Sequence, residues 1–148
     1  MNAGNLALTA GALFIIDALV GNALYMNPLV ARLYARHEGH PGVKHWKEIG
    51  SFAKFLSLNM LMGLALSALY ALVFALMRGS LPGNPLLAGL CFSGMAIALK
   101  AAPEAFNQYM NINYPRSLIA AQLSNSSISL LISGIALGLL SEALPGLA

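Results

Sequence analysis

The stretch from Lys100 to Ser133, KAAPEAFNQYMNINYPRSLIAAQLSNSSISLLIS, decides how this chain is read. Lys100 sits deep in an otherwise lipid-like run and is followed by Pro103, Glu104, Asn107, Gln108 and Asn111. Beyond Asn113-Tyr114-Pro115, a second apolar run carries Gln122, Asn125, Ser126, Ser129 and Ser133 within one helical face. Polar groups are expensive in hydrocarbon. A row of them on two adjacent spans therefore points to a buried seam or cavity, not to lipid contact.

The rest of the chain reads as walls for that seam. Of its 148 residues, 58% are hydrophobic and 9% charged, and the mean hydropathy is +0.72. Soluble domains carry about 25% charged residues, so water is not the main solvent here. Four apolar stretches are long enough to span a bilayer, which takes roughly 20 residues per helix. They run over about residues 5–26, 52–77, 85–109 and 116–140. The expectation is an all-α integral membrane domain over residues 1–148, with four antiparallel transmembrane helices in a bundle. The first span reads as a retained helix: no Lys or Arg precedes its core, and that core is too long for a signal peptide.

On the first span Leu6, Ala10, Leu13, Asp17, Gly21 and Leu24 share a face, with Asp17 near the middle. The second puts Asn59, Gly63, Leu66 and Tyr70 on one face, and Gly63 with Ser67 forms a small-xxx-small pair. The helix breakers between Arg78 and Pro85 predict a tight hairpin into the third span, where Pro103 is expected to introduce a kink. The fourth carries Gly134 and Gly138 as GxxxG. Two such small-residue pairs exceed what one bundle obviously needs, so a homo-oligomer is expected.

Residues 29–51 form the longest and most basic connection, with Leu29, Leu33, Tyr34 and Trp46 interspersed, as suits a segment in the headgroup region. Arg32, Arg36, Lys44, Lys47, Lys54, Lys100 and Arg116 fall on one side of the four-span topology and Arg78 alone on the other. The positive-inside rule then predicts an inner-membrane protein with both termini outside and the 29–51 loop cytoplasmic.

Several chemistries have no support. His37, His40 and His45 match no standard ligand spacing, and Cys91 is the single cysteine, so no metal site is expected. No Walker loop, dinucleotide fingerprint or HExxH is present, and no cofactor or nucleic-acid partner is expected. What remains is an intramembrane set of ligand-binding candidates: Asp17, Asn59, Lys100, Glu104, Gln122, Asn125, Ser126 and Ser129. Lys100 is the one basic residue placed to reach the depth of Asp17. The acid must be neutral, paired with that cation, or facing water.

The end of the first span, Gly21-Asn22-Ala23-Leu24-Tyr25-Met26-Asn27-Pro28-Leu29, resembles a signature of the domain-of-unknown-function 1761 family of small bacterial membrane proteins. In that signature a glycine and an aromatic pair lead through Pro-Leu into a basic loop. The stretch from Ala102-Pro103 through Tyr114-Pro115-Arg116 to Gly134 is similar to the family's third and fourth helices. The resemblance implies a four-helix membrane fold and nothing about substrate.

Three functional readings compete on these residues. In the first, the seam binds or translocates a small or lipid-like ligand. The second makes it a structural device in a scaffold or accessory subunit. The third uses Asp17 and Lys100 as an acid–base pair acting on a lipid or quinone-like substrate. Catalytic residues cannot be assigned from the sequence.

Overall fold

The computed structural model describes residues 2–43, 48 and 50–144. Its helices are α1 (Ala3–Tyr25), the short α2 (Pro28–Arg36), α3 (Phe52–Met77), α4 (Pro85–Ala96), α5 (Ala102–Asn111) and α6 (Arg116–Ala143). A π-helical turn, Ile97–Ala101, joins α4 to α5 without a break. Four continuous helices, with α4 and α5 counted together, are long and apolar enough to cross a membrane. The chain is an all-α, multi-pass membrane protein.

Local chemistry sets most of the helix starts. Asn2, Asn27, Ser51 and Asn84 each accept a hydrogen bond from a backbone N–H in the first turn, and Pro28 and Pro85 occupy the position where a missing N–H costs nothing. Asn27-Pro28 closes α1 and also opens α2, whose Val30 is buried while Leu29 is exposed. The connection after α1 thus begins as an amphipathic helix. Lys44, His45, Trp46 and Lys47 lie outside the described residues.

Pro103 has no N–H and its ring would collide with the preceding turn of a straight helix. The chain accommodates it by widening that turn: Ala102 N–H bonds to Ile97 O, one residue further back than in an α-helix. Lys100 lies inside the widened turn.

Packing is most extensive between α4 and α6 and between α1 and α3, followed by α1 and α6. The α4–α6 crossing keeps one register over two turns. A Cβ on Gly138 would fall 2.0 Å from Pro85 O, and one on Gly89 would fall 2.3 Å from Gly134 O. One turn further, buried Ser93 Oγ donates to Leu130 O at 2.9 Å. The GxxxG pair is therefore consumed inside the chain. Gly63 likewise faces the Phe14 ring, and Ser67 is fully buried. Both small-residue pairs thus serve packing within the chain.

α3 and α4 meet through side chains instead. The Phe92 ring lies edge-on to Tyr70 and Phe74, with centroids 6.4 and 5.3 Å apart. Together with Leu13, Ala71, Ala88 and Leu137, these aromatics form the apolar core of the bundle. Large apolar side chains such as Leu19 and Leu76 point outward, 68% and 72% exposed, as lipid-facing positions do.

The first and third connections lie at the same end. His37 Nε2 is 2.9 Å from Ser117 Oγ, and Gly42 approaches the backbone of Asn113 too closely for a side chain. Described basic residues Arg32, Arg36 and Arg116 belong to that end. Arg78, at the other, donates to Pro82 O and Gly83 O within its own turn.

Candidate intramembrane binding site

Asp17 is held by serines from two other helices. From α3, Ser67 Oγ donates to Asp17 Oδ2 at 3.1 Å; from α6, Ser133 Oγ donates to Asp17 Oδ1 at 2.5 Å. Ser133 Oγ also lies 2.8 Å from Ser129 O, one turn earlier on its own helix. The arrangement follows from register. Asn125 Nδ2 reaches Leu24 O at 3.3 Å, and about two turns along each antiparallel helix this places Ser133 beside Asp17. A carboxyl at this depth needs donors, and two hydroxyls supply them.

Lys100 does not bond to Asp17. Its ammonium lies over the Tyr70 ring, 5.7 Å from the centroid, within the range of a cation–π contact. Of the three states open to Asp17 in the sequence, a direct bond to Lys100 is not the one found; the two side chains make separate arrangements that line one cavity of about 190 Å³. Asp17 and Tyr25 line it from α1, Gly63, Leu66 and Tyr70 from α3, and Lys100 from the π-turn. Ser126, Ser129, Leu130 and Ser133 form the α6 wall. The Tyr70 hydroxyl is buried and has no hydrogen-bond partner among the described residues.

Four of the sequence candidates, Asp17, Lys100, Ser126 and Ser129, therefore line one cavity. The other four do not line it. Asn59 is exposed and its amide returns to Phe55 O at 2.8 Å. Glu104 is exposed beside a crevice of about 10 Å³ between α5 and α6, too small to hold a ligand. Asn125 ties α6 to the end of α1. Gln122 lies nearer the basic end, where its Nε2 donates to Tyr34 OH at 2.9 Å and Tyr114 OH at 2.8 Å. Burial, followed by the hydrogen bond and charge of Tyr34, pushes the Tyr114 phenol up to about 12, against the opposing pull of Gln122.

No family model, curated protein or solved structure matches this chain. The site stands on its own geometry.

Three further residues belong to it. Ser67 reads in the sequence only as a small packing residue, Ser133 as one more seam serine, and Tyr70 as one member of the α3 face with Gly63 and Leu66. The spacing does put Tyr70 on the correct face. What it does not carry is the depth match to Lys100, because that depends on the extra residue in the π-turn.

Proposed function

We propose that this protein binds a small or lipid-like ligand within the membrane, in the cavity between its four spans. One observation carries the reading: the cavity wall combines the Lys100 charge with a buried Tyr70 hydroxyl that has no partner in the described chain. A buried hydroxyl without a hydrogen bond costs about 1–3 kcal/mol, which a bound acceptor or donor removes. A cavity serving only as a packing defect has no use for either group.

The test is to fill the cavity. Ser129→Leu places an apolar side chain on its α6 wall. If the cavity binds a ligand, native mass spectrometry of protein released from its own membrane will show a small adduct on the wild type and none on Ser129→Leu. An adduct retained by the filled variant, or absent from both, goes against the reading.

A structural reading is favoured by a different observation. Asp17 takes hydrogen bonds from both α3 and α6, so one carboxyl ties three helices together. On this reading Asp17 itself serves architecture, and Lys100 and Tyr70 are the ligand-facing side chains. An inner-membrane location with both termini outside is proposed on the distribution of Lys and Arg. Kinship with the domain-of-unknown-function 1761 family is proposed on its short motifs.

A further inference from the structure

We infer that the ligand of this cavity carries a compact anionic group, a carboxylate or a phosphate, bound by Lys100 and the Tyr70 hydroxyl. The inference rests on the cavity being a binding site and names what it binds.

The donors and acceptors lining the cavity are unequal. Lys100 brings three N–H donors and no acceptor, and its position over the Tyr70 ring leaves those donors unspent. The Tyr70 hydroxyl is buried and without a partner. On the other side of the balance, both carboxyl oxygens of Asp17 already accept from Ser67 and Ser133. The hydroxyls of Ser126, Ser129 and Tyr25 can donate or accept and favour neither class. The unspent Lys100 ammonium, beside an Asp17 carboxyl already bonded at both oxygens, therefore favours a ligand that brings acceptor atoms. The positive charge of Lys100, in surroundings of low dielectric, favours an acceptor that is negatively charged.

Size and access narrow the class. About 190 Å³ lies below the ~300 Å³ at which pockets for drug-sized ligands begin, a size that suits a headgroup better than a whole lipid. Lys100 lines the cavity and is also exposed at its edge, and the adjoining Leu99 is 81% exposed on the outer surface. The cavity thus reaches the outer surface at Lys100, where an amphiphile can seat its head while its chain stays in the bilayer.

Asp17 is the feature that opposes an anion, and it supplies the sharpest test. Asp17→Asn leaves a side chain that cannot ionise and keeps a carbonyl for one serine. The expected result is tighter anion binding, although the substitution is made in the site itself.

The experiment measures thermal unfolding of the protein in phosphatidylcholine nanodiscs, titrated with dodecyl phosphate or laurate. Glycerol monolaurate serves as the neutral counterpart, dodecyltrimethylammonium as the cationic one, and inorganic phosphate as the free anion. Binding to the folded state raises Tm with concentration. The anionic amphiphiles are expected to stabilise the wild type. Tyr70→Phe should weaken their apparent Kd about threefold to tenfold, and Lys100→Met about tenfold or more. Lys100→Arg should largely retain it, which separates loss of charge from loss of fold. Stabilisation by inorganic phosphate alone supports the anion site and assigns it an aqueous source. A shift produced equally by glycerol monolaurate or the cation, and unaltered in Lys100→Met, overturns the anionic assignment and leaves the cavity as a binding site. No shift with any probe overturns both.

Discussion

Ser67 Oγ on α3 lies 3.1 Å from Asp17 Oδ2 on α1, while the other carboxyl oxygen takes the hydroxyl of Ser133 from α6. The most polar side chain in the first span is thus satisfied by the two most modest donors available. A serine on a transmembrane helix reads as a small residue that permits close approach. Here it both permits the approach and answers the carboxyl that the approach buries.

Each hydroxyl should therefore contribute separately. Ser67→Ala and Ser133→Ala are each expected to lower stability by about 0.5–1.5 kcal/mol. Asp17→Leu should cost more than either, because it leaves Ser67 without its acceptor on the neighbouring helix. Reversible denaturation in mixed micelles gives the comparison. Equal stability of Asp17→Leu and wild type would show that the three-helix junction does not hold the bundle.

The α4–α6 crossing offers a steric prediction with an internal control. Adding a methyl group at Gly89 puts it 2.3 Å from Gly134 O, and the obstacle is backbone that cannot swing aside. Gly89→Ala should destabilise by about 1–3 kcal/mol or more. Gly11, on α1, faces open space, so Gly11→Ala should instead gain roughly 0.5–1 kcal/mol from helix propensity. Melting temperatures moving in opposite directions are expected. A neutral Gly89→Ala would mean that α4 and α6 do not approach this closely.

How much of this was readable from residues alone depends on the range of the interaction. The spans were legible because span length and apolar composition are properties of one segment at a time. The start of α2 was not: Asn27-Pro28 signals a helix end and a helix beginning equally well, and only the packing of Tyr34 and Val30 against the bundle favours the second. GxxxG announces a close crossing without naming the partner, and the partner is the chain's own Gly89. Whether Asp17 pairs with Lys100 could not be read from residues for a similar reason. Common depth was inferred correctly enough to place both on one cavity, but which neighbour each side chain meets depends on rotation about the helix axis. Gln122 and Asn125 share a face with the cavity serines, yet lie below it, because a helical face extends along the whole span.

Tyr114 allows a pH prediction outside the membrane-spanning segments. Its phenol is raised from 10.0 to about 12, chiefly by burial and then by Tyr34. The folded protein thus holds this proton more tightly than the unfolded chain does. The resulting stabilisation is complete below about pH 10 and is lost as pH climbs through about 12. Near-ultraviolet tyrosinate absorbance should show one late step that Tyr114→Phe removes. If Tyr114→Phe leaves the titration curve unchanged, the Tyr34–Gln122–Tyr114 cluster is not formed.

The last prediction concerns Pro103 and the turn it forces. Without an N–H at residue 103, and with its ring against the preceding carbonyls, the chain cannot pass through as a regular α-helix. It widens at Ile97–Ala101, and within that widening Lys100 comes to lie over Tyr70. Pro103→Ala restores the donor and removes the clash, so the segment is free to return to α-helical register. Stability should rise by about 1 kcal/mol as a backbone hydrogen bond is regained. The same return rotates Lys100 about the helix axis and takes its ammonium off the Tyr70 ring. Lys100→Met should then have little further effect on stabilisation by dodecyl phosphate, because that stabilisation is already lost. A Pro103→Ala protein that melts lower than wild type and still responds to dodecyl phosphate would show that tertiary packing, not the proline, keeps the turn open. The position of Lys100 would in that case be imposed by the bundle around it.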